Sequence, residues 1–349
     1  MKRALLGFAL GAAAFGFAIT FAAPAGAAPP DTIRVASAGD DNAAPLLYAD
    51  KAGLFRKAGL DVQISKMNSG SAVAVAIAGG ALEIGKSSLT GLIAAHLRGV
   101  DFALVAPSGL YVKEHPIGAL VVATDSTIQT ARDFVGKTIS ASALNDINVV
   151  AARAWLEQQG VDPATVHFIE LPESAVSAAL VQHRIDASTV LNPVLAGLVN
   201  SGKARVVAPV FDAIAGRFMI SGWFASADYV AKHRDVVARF ARVMQQAEDY
   251  ANNHHAETLD LVAQFTGMDA AVIAGMVRPT YPAALDPRDI QPIIRGRTDQ
   301  PGGAASAEVI GVTSPSSACG FRSVVPRARL APRAPLETRT GVSPSVLTE

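Results

Sequence analysis

Short apolar runs bounded by turn residues alternate with helix-compatible stretches along most of this chain, and the alternation occurs twice. Residues 32–36, 61–64, 82–85 and 102–106 read as strands. Between them, residues 45–52, 72–78 and the stretch begun by Ser87-Ser88-Leu89-Thr90 read as helices. This order implies a parallel or mixed sheet covered on both faces, because a parallel pair needs a crossover that a helix supplies. The pattern restarts around residues 118–123, a run apolar enough for a central strand or for a crossing between two units. Its strands are residues 137–140, 166–170, 185–190 and 205–208, with helices over 148–160 and 174–183. Residues 219–224 carry the chain back, and 235–252 set Val236, Val237, Phe240, Val243, Met244 and Ala247 on one helical stripe. Two α/β units joined by two apolar crossings describe a bilobed protein with a cleft. The expected division is lobe 1 (first part) over 28–123, lobe 2 over 124–218, and completion of lobe 1 over 219–294.

Both ends differ from this body. Lys2 and Arg3 precede an uncharged stretch, residues 4–23, and Ala25-Gly26-Ala27 offers a small-x-small cleavage site. Residues 1–27 read as a cleaved export signal, with an uncleaved membrane anchor as the alternative. The mature chain then starts near Ala28 outside the cytoplasm, and a body without cysteine before position 319 suits an oxidising compartment. After Ile294 the character changes: residues 295–349 hold seven arginines, six prolines and no lysine, with Phe321 as the one aromatic. The expectation there is an unstructured tail, either out-of-frame sequence or a natural flexible extension.

Composition removes several functions. Thirty Lys and Arg balance thirty Asp and Glu, which suits neither a nucleic-acid binder nor an acidic tail protein. A single cysteine, Cys319, excludes a disulfide framework and a cysteine-rich metal site. No G-x-S-x-G elbow or H-E-x-x-H helix occurs, and no phosphate-cradling loop of the pattern G-x-x-x-x-G-K-S/T is expected. His254 and His255, read as lying on the polar part of a late helix, do not share a helix face and make a poor metal pair. The expectation is a protein that is not an enzyme and that carries neither metal nor cofactor.

Four segments carry a family resemblance. Tyr48-Ala49-Asp50-Lys51-Ala52-Gly53-Leu54-Phe55-Arg56-Lys57-Ala58-Gly59-Leu60-Asp61-Val62 resembles an "A-x-x-x-G-L-F-x-x-x-G-L-D-V" segment. Residues 79–85 resemble "G-x-L-D-I-G", residues 131–139 "D-L-x-G-K-x-I", and residues 180–187 "L-x-x-G-x-V-D-A", with His183 where glycine is usual. These segments, in this order, resemble the periplasmic solute-binding proteins of ABC importers that bind nitrate, sulfonates and taurine, in a subgroup similar to the thiamine pyrimidine synthase. The resemblance spans roughly residues 32–294. It implies the bilobed periplasmic-binding-protein fold (type II), a periplasmic location and a monomer. It also implies a small-molecule solute delivered to an ABC permease and its ATPase subunit. The pyrimidine-synthase-like enzyme is the rival, and it works with a cysteine cluster that this sequence lacks. A ligand-sensing domain of a receptor is a second rival, for which no output domain is visible.

The resemblance places the solute between the lobes, at loops following strands and at helix N-termini, whose unsatisfied N–H groups attract anions and polar groups. The matching positions are Asp40, Asp41 and Asn42; Asn68, Ser69, Gly70 and Ser71; Ser87 and Ser88; Asn145, Asp146 and Asn148; Asn192; and Trp223. Each polar residue serves equally as an ordinary N-cap, and Trp223 either stacks on a planar ligand or belongs to the core. No arginine falls in these loops, and Asp40 and Asp41 repel a bare anion unless they point away. The expected solute is therefore a neutral or weakly acidic organic molecule, nitrogen heterocycles included, with a sulfonate or carboxylate as the alternative.

Overall fold

The computed structural model describes residues 29–298 together with Gly311 and Val312. The export-signal reading of residues 1–27 and most of the tail therefore lie outside the described residues. The first alternation builds strands β1 (Asp31–Ala38), β2 (Leu60–Met67), β3 (Ile84–Ser88) and β4 (Phe102–Pro107). Helices α1 (Ala44–Lys51), α2 (Leu54–Lys57), α3 (Gly70–Ala78) and α4 (Leu89–His96) alternate with them. A short strand β5 (Leu110–Val112) leads to β6 (Gly118–Ala123), β7 (Thr138–Ala141), β8 (His167–Glu170), β9 (Ala187–Leu191) and β10 (Ala204–Ala208). Helices α5 (Ile147–Gln158), α6 (Glu173–Val181) and α7 (Val194–Asn200) belong to this second set. The chain returns through β11 (Arg217–Met219) and β12 (Ser221–Ser226). Helices α8 (Ala227–Lys232), α9 (Arg234–Asn253), α10 (His255–Thr266), α11 (Ala270–Gly275) and α12 (Pro287–Thr298) follow, then the two-residue strand β13 (Gly311–Val312).

Two mixed sheets share one plan. Their strand orders are β13-β4-β12-β3-β1-β2 and β10-β6-β9-β7-β8, while β5 and β11 pair as an antiparallel ribbon between them. Each sheet has three parallel strands, β2-β1-β3 in one and β8-β7-β9 in the other. Each then takes one antiparallel strand, β12 between β3 and β4 or β6 between β9 and β10. In both sheets that strand is the one that has just crossed from the other lobe. This is the bilobed α/β fold that the sequence implies.

The boundary at residue 123 needs correction. Gly118–Ala123 is buried along its whole length and lies inside the second sheet, so lobe 2 opens with β6 rather than at residue 124. An uninterrupted apolar strand needs cover on both faces, and here the sheet interior supplies it. The helical stripe of α9 is buried as its period requires, with Phe240 stacked on Phe55 at 5.5 Å and edge-on to Trp223 at 6.0 Å. His183, at the position where the resembled segment pattern has glycine, has φ 52, the left-handed conformation that glycine adopts without strain.

The break expected at Ile294 is also displaced. Helix α12 continues to Thr298, because Ile290, Ile293 and Ile294 form a buried face and Arg217 is paired with Asp289 at 2.9 Å. Gly311 and Val312 pair in parallel with Ala103 and Leu104 on the outer edge of β4. His254 and His255 do not lie within one helix: His254 sits at the break between α9 and α10, its Nδ1 2.9 Å from the Tyr250 carbonyl.

Candidate functional site

The cleft between the lobes is built from matching parts of the two sheets. Lobe 1 contributes Gly39, Asp40 and Asn42 after β1, Asn68 and Ser69 ahead of α3 with Gly70 and Ser71 at its start, Lys86–Ser88 on β3, and Ser221 at the start of β12. Lobe 2 contributes Ser142 after β7, Asp146 and Asn148 at the start of α5, Glu173 at the start of α6, and Leu191 at the end of β9. These residues surround a small polar space that opens to solvent. Four helices, α3, α4, α5 and α6, thus direct their N-termini at the cleft, where their partial positive charge favours electron-rich groups.

Capping and lining coincide at several of these positions. Asp40 Oδ1 accepts from the Asn42 N–H at 2.9 Å, Ser69 Oγ from Ala72 at 3.2 Å, and Ser88 Oγ from Gly91 at 3.3 Å. Asp146 Oδ1 accepts from Ile147 at 2.6 Å, and its Oδ2 from the Ser142 hydroxyl at 2.6 Å. Gly70 allows α3 to begin directly against β3, since a Cβ there would meet Ser87 Oγ at 2.6 Å and Ser87 Cα at 3.0 Å. Of the sequence candidates, Asp40, Asn42, Asn68, Ser69, Gly70, Ser71, Ser87, Ser88, Asp146 and Asn148 line this one cleft.

Four candidates do not. Asp41 turns away from the cleft and pairs with Arg278, at 2.6 and 2.9 Å, with 2% of its side chain exposed. Asn145 is half-buried on the approach to α5 and does not line the cleft. Asn192 is used structurally: its amide nitrogen donates to the Val277 carbonyl at 2.9 Å and its oxygen accepts from Ala196 at 3.2 Å. Trp223 is fully buried against Phe240, which settles it as core. Because β12 runs antiparallel to β3, its first residue, Ser221, reaches the cleft while Trp223 sits two positions deeper in the sheet.

Two charged groups were not foreseen. Lys86, 3% exposed, places Nζ 2.7 Å from both carboxylate oxygens of Asp40. Glu173 faces this pair from lobe 2. Burial, followed by the negative charges of Asp40 and Asp146 and opposed by Lys86, pushes its carboxyl up to about 8. Lys86 did have a sequence signal: residues 80–87, Gly-Ala-Leu-Glu-Ile-Gly-Lys-Ser, match the pattern G-x-x-x-x-G-K-S/T, contrary to the expectation that no such motif occurs. A phosphate-binding loop of that pattern lies between a strand and a helix. Here Gly85, Lys86 and Ser87 lie within β3, so the match does not form that loop.

Three polar atoms at the cleft are buried without a hydrogen-bond partner: Asn42 Oδ1, Ser221 Oγ and Asn148 Oδ1. The first two belong to lobe 1 and the third to lobe 2. Leaving such groups unpaired costs free energy.

A profile of the family described as NMT1/THI5 like matches residues 40–258, which include both halves of this cleft. The chain belongs to that family. Among its relatives, the taurine-binding periplasmic protein of Escherichia coli (strain K12) is 26% identical over 256 residues, 70% of this chain and 77% of that protein. Among solved structures, the periplasmic aliphatic sulphonate binding protein SsuA of Escherichia coli superposes with a TM-score of 0.63 at 18% identity, covering 76% of this chain and 90% of the other. The desulfurization enzyme DSZB superposes with a TM-score of 0.58 at 17% identity, covering 77% and 92%. At these identities the superpositions establish a shared fold, and that fold hosts both binders and an enzyme.

Proposed function

We propose that this protein is the extracytoplasmic solute-binding component of an ABC-type importer. It captures one small polar solute between its lobes and delivers it, unchanged, to a membrane permease with its ATPase subunit. The observation that carries this reading is a polar cleft lined from both lobes, by Asp40, Asn68, Ser69 and Ser88 on one side and Ser142, Asp146, Asn148 and Glu173 on the other. Family membership and the periplasmic, taurine-binding relative support it. The cleft residues include no cysteine, and the sequence has Cys319 alone, so a thiol-dependent reaction of the pyrimidine-synthase type lacks its reactive groups.

The solute we favour is neutral or weakly acidic and rich in N–H donors, as a nitrogen heterocycle is. Lys86 is already matched by Asp40, while Asp146, Asn42 and Asn148 line the cleft and Glu173, protonated up to about 8, can both donate and accept there. A sulfonate or carboxylate is the second reading, favoured by the four helix N-termini and by the taurine-binding relative. A thermal-shift screen of the purified protein against neutral heterocycles, taurine and simple sulfonates tests both, because a ligand at a hundred times its Kd stabilises by roughly 2.7 kcal/mol. A rise in Tm with one class selects the solute. Turnover of the ligand into product at catalytic rates would overturn the carrier reading.

A further inference from the structure

Lys86 is the one cationic side chain among the residues that line the cleft, and it is already engaged. It lies within β3, a strand paired on both sides, and is 3% exposed. Its Nζ stands 2.7 Å from Oδ1 and 2.7 Å from Oδ2 of Asp40, so both carboxylate oxygens share one ammonium. Asp40 is held in place in turn, because its Oδ1 also accepts the Asn42 N–H at 2.9 Å and caps the short turn that follows β1. The rest of the cleft is not hostile to an anion. Helix N-termini and the hydroxyls of Ser69, Ser87 and Ser88 line it, and such groups attract oxyanions. What stands against one is carboxyl groups: Asp40 on the lysine, and Asp146 and Glu173 across from it on lobe 2.

We propose that Asp40 is a specificity-determining residue of this cleft: it occupies Lys86 as a bound oxyanion would, and so bars acidic solutes. The proposal rests on the solute-binding reading above and selects between its two solute classes. An incoming carboxylate or sulfonate finds its counter-charge already taken. To reach Nζ it must displace a group tethered to the same chain, which competes at a high effective concentration. It must then remain close to the negative charge it has displaced. A neutral solute meets neither cost, since the Asp40–Lys86 pair can stay closed while the solute bonds to the other polar groups. Removing the Asp40 carboxylate reverses the balance. A buried ammonium left without its partner is costly, and a small anion that enters the vacated place relieves that cost.

Methanesulfonate is the probe, titrated into the full chain by calorimetry at fixed ionic strength. The pH is about 6, below the value of about 8 up to which Glu173 keeps its proton, so that Glu173 does not replace Asp40 on the lysine. Asp40→Ser vacates the place of the carboxylate, while serine still caps the turn. This variant should bind methanesulfonate roughly ten- to a hundredfold more tightly than the unaltered protein. Adding Lys86→Met should abolish the gain, which ties it to the ammonium rather than to a general loss of negative charge. Asp40→Asn keeps both size and cap and serves where the serine variant does not fold; its gain should be smaller and in the same direction. Three results would overturn the role of Asp40: no gain in either variant, a gain that survives Lys86→Met, or unaltered protein that binds methanesulfonate as tightly as Asp40→Ser. The carrier reading is decided separately, by the thermal-shift screen of the unaltered protein.

Discussion

The two aspartates that follow β1 divide between the cleft and the packed segment behind it. Asp40 faces the cleft, where Lys86 matches its charge and 15% of its side chain remains exposed. Asp41 turns inward, 2% exposed, onto an arginine that also donates to the His255 carbonyl at 3.1 Å and to Thr258 Oγ1 at 2.9 Å. The segment carrying Arg278 touches both lobes: Tyr281 donates to the Asp41 carbonyl at 3.0 Å and Leu110 to the Thr280 carbonyl at 2.9 Å, while Val277 accepts from Asn192 of lobe 2. The rear pair is sealed and fully hydrogen-bonded, whereas the front pair stays within reach of a solute. The same residue type one position apart thus acts on stability in one case and on the field of the cleft in the other. The carboxyl of Asp41 is itself raised by burial, with Arg278 opposing, as expected where desolvation and pairing compete.

The sharpest way to break this contrast is Arg278→Met. It strands a buried carboxylate and should cost about 3–5 kcal/mol in urea unfolding, whereas the double change with Asp41→Asn should recover a good part of that. A single-variant loss below about 1 kcal/mol would show that the rear pair does not hold the segment. At the front, Asn148→Ala removes a group that has no partner for its oxygen, so its effect should fall on binding. The expectation is a five- to thirty-fold weaker Kd for the screened solute, about 1–2 kcal/mol, with the urea midpoint nearly unchanged. Equal losses in both measurements would make Asn148 a structural residue.

A smaller effect distinguishes the two regions by pH. Glu173 in the folded cleft holds its proton up to about 8, against an ordinary value of 4.5. The folded state therefore binds this proton more tightly than the unfolded chain, and the stability it confers is full below about 4.5 and is lost as pH rises towards 8. Glu248, buried with neither carboxylate oxygen partnered, is raised in the same direction, so Glu173→Gln is needed to isolate the share of the cleft. That variant should flatten part of the decline in Tm between pH 5 and pH 8; an unchanged profile would remove Glu173 from the account. The same proton reports on the solute: affinity for a cation should rise with pH near 8, and affinity for an anion should fall. Smallest of all is Lys232→Ala, an exposed partner of Asp228 at 2.8 Å, which should alter stability by less than about 0.5 kcal/mol and binding not at all.

Much of the cleft was legible because the loops after strands and the helix N-caps use the same short list of residues. Ser69, Ser88 and Asp146 announce a helix start, and in this fold a helix start faces the cleft. What local pattern could not give was direction across the sheet. Trp223 lies on the correct strand, but the antiparallel course of β12 turns its first residue, not its third, to the cleft. Lys86 was hidden because periodicity starts the third strand at residue 82, whereas it runs from Ile84 to Ser88 and carries the lysine within it. Glu173 at the first position of α6 reads as ordinary compensation of a helix dipole until Asp40 and Lys86, far away in sequence, are brought opposite. Asp41 and Asn192 needed partners from residues 277–278, which no spacing near either residue reveals.

The exchanged strands also set an order of assembly. As the chain emerges from its N-terminus, the five strands of lobe 2 are complete once residue 208 is available, because all of them lie within residues 118–208. The first-made strands must wait longer. Among the described strands, β3 and β4 have no direct pairing and are joined through β12, so sheet one stays divided until residues 221–226 arrive. The half of the protein synthesised first is therefore the half completed last, with the open edge of β3 exposed to stray strand pairing throughout the interval.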